Sequence, residues 1–251
     1  MDDPCRHPDS PLSRVARNLL FPPRCVGCDS LLPPFAPKDT VFCPLCRTEW
    51  EAAVAEADEA AAADAARGIV YLTFYRPSKT DGIPERLIYH IKHCGERRTL
   101  NFVAERLAPR IRKAVTSTPA RKPAAEDKPL LFTYPPRRRA AVSEDGFDQA
   151  ERLSKAFAKI CHGEHATLIR RTRRRAREQK RLTAEERASN AARAYTLEDK
   201  AAPTIRDRTV VLCDDLRTTG ATLEACAGLL VGAGARSVIL VTVAATVGKR
   251  P

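Results

Sequence analysis

The chain has 251 residues and a mass of 27.7 kDa, with 43 Lys and Arg against 31 Asp and Glu, giving a formal net charge of +12 and a pI near 9.5. That length suits one domain with an appendage or two small domains, and an apolar share of 43% is enough for a real core. The most apolar run, residues 238–243, falls far short of the ~20 residues of a membrane span, and the Met-Asp-Asp-Pro start lacks the basic flank and apolar core of a signal peptide. A cytoplasmic protein is expected, whose nine cysteines are thiols or metal ligands. The charge is uneven. Residues 51–68 sum to −4, whereas residues 170–181, opening on Arg170 and closing on Arg181, hold eight basic residues and one Glu. Such a run is either a solvated stretch or a surface for phosphate or nucleic acid, single-stranded DNA included.

From the N-terminus, Pro22 and Pro23 lead into Cys25-Val-Gly-Cys28 and, fourteen residues on, Cys43-Pro-Leu-Cys46. A C-x-x-C pair converges two thiolates on one ion from a tight turn. Two pairs complete a closed tetrahedral site, so Cys25, Cys28, Cys43 and Cys46 are expected to hold a structural zinc ion that folds a segment too small for its own core. A redox role would need one exposed pair, not two. Cys5, Cys94, Cys161, Cys213 and Cys226 are isolated: Cys5 falls in the terminus, and the others read as small packing residues. Ten of the sixteen residues from 51 to 66 are Ala, mixed with acids, which predicts an exposed helical connector without a sizeable core face, ending at Gly68. A β-rich run follows at 69–75. Pro84 then opens a helix with Leu87, Ile88 and Ile91 at helical spacing, and a second helix fits 100–115. The Pro-, Ala- and charge-rich stretch 116–128 reads as a loop.

The second half alternates strands at 130–134, 167–169, 210–213 and 237–243 with helices at 147–161, 184–193 and 222–231. This predicts a parallel sheet covered by helices. The expected division is a zinc-ribbon module at 1–50, a connector at 51–68 and an α/β domain at 69–251.

The sharpest signal is Val210-Val-Leu-Cys-Asp-Asp-Leu-Arg-Thr-Thr-Gly-Ala-Thr222. A buried strand delivers Asp214 and Asp215 to its carboxyl end, and a loop of small hydroxylated residues enters a helix. The free N–H groups at that helix start, with the hydroxyls of Thr218, Thr219 and Thr222 and the small Gly220 and Ala221, make a cup for an anion. The two carboxylates beside it suit sugar hydroxyls, held directly or through Mg²⁺. An ordinary capped turn explains one acid but not two followed by this loop.

This run resembles the phosphoribosyl-pyrophosphate (PRPP) motif of the type I phosphoribosyltransferase fold. The chain as a whole resembles the competence protein ComF family, also called GntX-type, in which a four-cysteine zinc ribbon precedes such a domain. Its Lys-x-x-Gly segment is matched by Lys92 to Gly95 and its Gly-Phe-Asn-Gln-Ala by Gly146-Phe-Asp-Gln-Ala150. Its spaced Gln, Leu, Arg and Asn are matched by Gln179, Leu182, Arg187 and Asn190.

The resemblance implies that residues 218–222 hold the 5-phosphate of PRPP and that Asp214 and Asp215 hold the ribose hydroxyls. The loop after the first core strand, with Arg137 and Arg138, would bind pyrophosphate, with Lys92 a further candidate. The basic run would be a loop able to close over the site. If the protein is an enzyme, a nitrogen nucleophile displaces Mg-pyrophosphate from C1 of PRPP, and a hood from residues 69–115 selects the acceptor. The alternative is a non-catalytic PRPP-binding protein that supports DNA uptake in natural competence, or a ligand-sensing regulator. The chain departs from the family in two places: Asp145 stands where Arg is common, and Asp148 replaces the Asn. Both add negative charge near the pyrophosphate loop, which weakens a polyanion site unless the neighbouring arginines compensate. His90 and His93, three apart on a helix, read as surface or packing residues.

Overall fold

A computed structural model describes residues 22–37, 39–78, 81–117, 128–172 and 193–246. In chain order the first half contains α1 (Pro44–Ala65), β1 (Ile69–Val70), β2 (Thr73–Tyr75), α2 (Ile83–His93) and α3 (Arg97–Ser117). There follow β3 (Leu131–Thr133), α4 (Arg139–Asp145), α5 (Gln149–Ile160), β4 (Glu164–His165), β5 (Ile169–Arg171), β6 (Tyr195–Leu197) and α6 (Ala201–Ile205). The chain closes with β7 (Thr209–Cys213), β8 (Leu216–Arg217), α7 (Ala221–Gly232), β9 (Ser237–Val241) and β10 (Ala244–Thr246).

The central sheet is parallel throughout, in the order β1-β9-β7-β3-β4. In β7, Val210, Val211, Leu212 and Cys213 are all buried because helices cover both faces. Val211 and Cys213 join Phe102, Val103, Leu107, Leu153 and Phe157 of α3 and α5 on one face, while Val210 and Leu212 join Leu223, Cys226 and Leu230 of α7 on the other. The period of two thus sorts one apolar run into two cores. Parallel β strands deliver their carboxyl ends to one edge of the sheet, and there β3 opens into Pro135-Pro-Arg-Arg138 and β7 into Asp214 and Asp215.

Several local features differ from the expectations. The run 69–75 breaks in two. The Leu72 N–H bonds the Val243 carbonyl at 3.1 Å, and the chain crosses from the central sheet to a small parallel sheet, β2-β10-β8. The Ala-rich helix is not an exposed connector. It begins at Pro44, inside the second cysteine pair, and buries Trp50, Ala57 and Ala61. Alanine's small side chain lets this helix lie close against Tyr71 and Ala245, so the core face is real although it is low in apolar contrast. Helix α4 forms where no element was expected, and none of its residues is buried. The strands at 169–171 and 195–197 form an antiparallel ribbon, β5–β6, apart from the central sheet.

The cysteine-bearing segment has no separate core. Cys25, Leu32, Val41, Phe42 and Cys46 belong to the same apolar cluster as α2, α3 and the central sheet. Phe42, Trp50 and Phe102 pack ring to ring at centroid distances of 5.4 to 5.9 Å. Two arginines staple the segment down: Arg86 donates to the Gly27 carbonyl at 2.7 Å, and Arg98 donates to the Thr40 and Arg24 carbonyls at 3.2 and 2.6 Å.

Candidate functional site

Two sites emerge. In the first, the four sulfurs of Cys25, Cys28, Cys43 and Cys46 all lie within 4.8 Å of one another. Tetrahedral ligands on a zinc ion stand about 3.8 Å apart, and Cys28 Sγ is 3.7 Å from Cys43 Sγ. The Cys43 N–H donates to Cys25 Sγ at 3.2 Å. Hydrogen bonds from the Ser30 hydroxyl and backbone lower the exposed Cys28 thiol to about 6, while burial pushes Cys46 up. Gly27 is forced by close approach: a Cβ there would stand 2.7 Å from both Cys46 Sγ and Ile83 Cδ1. The donor set fits zinc.

The second site is an open cleft of about 290 Å³ at the carboxyl edge of the central sheet. Its lining includes Arg137 and Arg138 from the loop after β3, Asp214 and Asp215 from the end of β7, and Thr222 in the first turn of α7. Gly220 caps that helix with φ +81°, a left-handed conformation open to glycine and strained in other residues. Thr218 and Thr219 stand on the approach to it, and Thr219 Oγ1 accepts from the Ala221 N–H at 3.4 Å. The cleft therefore has a helix N-terminus and two acids on one side and guanidiniums on the other.

The two acids differ. Burial and the charge of Asp215 push the Asp214 carboxyl well above the usual range, although its Oδ1 accepts the Asp215 N–H at 2.9 Å. Asp215 has a side chain only 7% exposed, and its Oδ2 has no hydrogen-bond partner; the nearest cation is Lys92 Nζ at 3.4 Å, a long ion pair without hydrogen-bond alignment. Gln149, buried at the start of α5, also lines the cleft, and its Oε1 is likewise without a partner. Two buried acceptors without a hydrogen-bond partner, lining one cleft, leave room for hydroxyl donors or a cation.

Lys92 thus stands against Asp215 rather than in the arginine wall. Its helix end is placed by a contact between two of the shorter motifs. Gly95 adopts φ +57°, a Cβ there would meet the Phe147 ring at 2.7 Å, and Arg152 lies over that ring while donating to the Gly95 carbonyl at 3.2 Å. His93, next to Lys92, contacts Asp145 at 3.1 Å, and Asp145 also accepts from Arg137 at 2.7 Å. That pairing, with the Arg137 hydrogen bond foremost, holds the Asp145 carboxyl below its ordinary value. Asp148 caps α5 by accepting from the Ala150 and Glu151 N–H groups and takes the Arg137 N–H at 2.8 Å; burial still pushes its carboxyl up. His90 is turned away from the cleft toward Glu96, and burial lowers it.

Two lining residues escaped the sequence reading. Arg171, at the end of β5, donates to the Tyr195 hydroxyl at 2.8 Å across the β5–β6 ribbon, and both face the cleft. Arg171 sits within the basic run and Tyr195 just beyond it, but only strand pairing brings them together. Residues 173–181 of the run, with Gln179, Leu182, Arg187, Asn190 and the helix expected at 184–193 up to residue 192, lie outside the described residues. So do Cys5 and the linker at 118–127. Among the described residues no helix is long and apolar enough to cross a membrane.

Comparison with known proteins bears on the second site. A family model described as phosphoribosyl transferase domain matches residues 141–250, which include the β7 acids and the α7 cup. No curated protein matches the chain. Among solved structures, TT1426 from Thermus thermophilus is similar at 15% identity, over 61% of this chain and 85% of that one, with a TM-score of 0.32. Residues 141–250 of a mostly parallel sheet with flanking helices thus match the phosphoribosyl transferase domain, and ahead of them stands a four-cysteine cluster compatible with a zinc ribbon.

Proposed function

We propose that the cleft binds PRPP with Mg²⁺, that the protein is a ComF-type phosphoribosyltransferase, and that Cys25, Cys28, Cys43 and Cys46 hold a structural zinc ion. The observation that carries the reading is the two buried acceptors without a hydrogen-bond partner, Asp215 Oδ2 and Gln149 Oε1, beside a helix N-terminus. A 5-phosphoribosyl group presents what both halves need: a phosphate for the N–H groups of α7 and hydroxyl donors for the acids.

The phosphate sits at Thr218 to Thr222, against the N–H groups of the first turn of α7. Asp214 and Asp215 accept the ribose hydroxyls and are the residues that would hold Mg²⁺, which when bound would supply positive charge to the diphosphate. The C1 substituent then faces Arg138 and Arg171, which stabilise negative charge as the bond to C1 lengthens. Displacement at an oxocarbenium-like carbon depends on holding the nitrogen acceptor and the ring in line more than on a strong base. The end of α2, which overhangs the acids through Lys92, is the part of residues 69–115 best situated to border that acceptor.

Calorimetric titration of Mg²⁺ and PRPP tests the reading, with the Asp214→Asn, Asp215→Asn double variant as control. Wild-type binding that the double variant loses, at unchanged zinc content, is the expected result. Equal affinity in both proteins, or no wild-type binding, overturns it.

A further inference from the structure

In the half of the cleft that a diphosphate would occupy, part of the donor set is already engaged within the protein. Pro135 and Pro136 have no N–H to give. The Arg137 N–H is bound by Asp148 Oδ2 at 2.8 Å, and its guanidinium by Asp145 Oδ2 at 2.7 Å. The second oxygen of Asp145 is held by His93 at 3.1 Å, so the carboxylate is fixed between a guanidinium and an imidazole, with its side chain 12% exposed. Lys92 faces Asp215. Among the described residues lining the cleft, Arg138 and Arg171 remain without an ionic partner.

We propose that Asp145 is a specificity-determining residue: it withholds Arg137 from the ligand, so that the cleft prefers 5-phosphoribosyl compounds bearing a single phosphate, of the class of ribose 5-phosphate and nucleoside 5′-monophosphates, no less than PRPP. The inference rests on the 5-phosphoribosyl reading of the cleft and refines its ligand class. A diphosphate brought to this wall must either break the Arg137–Asp145 pair or accept a carboxylate within reach of its own charge, and each costs much of what the extra phosphate would gain. A singly phosphorylated ribose meets no such cost, because its phosphate lies at α7 and its hydroxyls at the acids.

The test compares PRPP with ribose 5-phosphate, both with Mg²⁺, on the full-length wild type and on Asp145→Asn, which keeps the shape and removes the charge. The expected wild-type ratio of affinities is below about tenfold, and Asp145→Asn should raise it by about tenfold through tighter PRPP binding with ribose 5-phosphate unchanged, the worth of one restored charge-assisted hydrogen bond. Asp145→Ser guards against a misfolded Asp145→Asn variant and should raise the ratio likewise, because it also removes the charge that holds Arg137. A wild-type preference for PRPP well above tenfold, or an unchanged ratio in both Asp145 variants, overturns the inference while leaving the 5-phosphoribosyl reading intact. Binding of neither ligand to the wild type overturns both.

Discussion

Asp214 and Asp215 are adjacent in sequence and unlike in surroundings, and the difference has a measurable sign. The Asp214 carboxyl is raised in the folded protein by burial and by its neighbour's charge. The unfolded chain loses that proton near the ordinary value of about 4, so above that pH the unfolded state binds fewer protons at this position than the folded one. The stabilisation is therefore full below the unfolded value and is lost as pH rises through the folded one. Asp214→Asn, which needs no ionisation, should stabilise the ligand-free protein by on the order of 1 kcal/mol at pH 8, with the gain shrinking toward pH 4.5. Urea unfolding at the two pH values checks this; a gain independent of pH would refute the burial argument. Mg²⁺ binding should for the same reason release protons, read as a dependence of the binding heat on buffer ionisation enthalpy. The placement of the two acids and of the Thr-Thr-Gly-Ala-Thr turn at one sheet edge was legible because one strand, one loop and one helix start carry them consecutively. The pairing of Lys92 with Asp215 and of Arg137 with Asp145 was not, because those partners come from elements that only packing brings together.

At the scale of elements, the joint between α2 and α5 decides where Lys92 and His93 stand. Gly95 sits there in a left-handed conformation against the Phe147 ring. Gly95→Ala should cost about 1–2 kcal/mol from backbone strain, plus up to about as much from the clash. Phe147→Ala relieves the clash but not the strain, so a double-mutant cycle by urea unfolding should show a smaller Gly95→Ala penalty in the Phe147→Ala background. An identical penalty in both would mean that the ring contact is not the constraint. The shorter motifs thus have a joint meaning that neither has alone: the Gly of Lys-x-x-Gly is the seat for the Phe of Gly-Phe-Asp-Gln. Helix and strand types were mostly readable from periodicity. The break at Leu72 was not, since one apolar run serves two sheets and the switch depends on the Val243 carbonyl far along the chain. Nor was α4, whose residues bury nothing and so leave no apolar stripe to read.

Across the whole molecule, the cysteine segment and the sheet share one core, and the sole tryptophan, Trp50, lies at their junction between Phe42 and Phe102. Phe102→Ala should cost about 3–5 kcal/mol, and removing zinc with a chelator should lower the stability of the entire fold rather than release a loose appendage. Trp50 fluorescence and far-UV circular dichroism should therefore report one coincident urea transition with metal bound; a separate early Trp50 transition would show an independently folding segment. The segment matched by the family model begins at residue 141 and leaves out β3, which lies between β7 and β4 in the sheet. Expressed alone, residues 141–250 should fail to give a sharp unfolding transition. The register of β1 carries a further consequence for synthesis. Ile69 pairs with Leu240 and Thr73 with Ala244, so the first two strands leave the ribosome long before their partners are made. At ordinary elongation rates that wait is roughly 10–30 s. The four clustered cysteines, all within a span of residues made early, can take up metal during it, whereas the part of α3 that packs on β9 stays uncovered until that strand emerges. Metal supply and chaperone capture therefore act on the nascent chain at different times, the first before the sheet exists and the second until it closes.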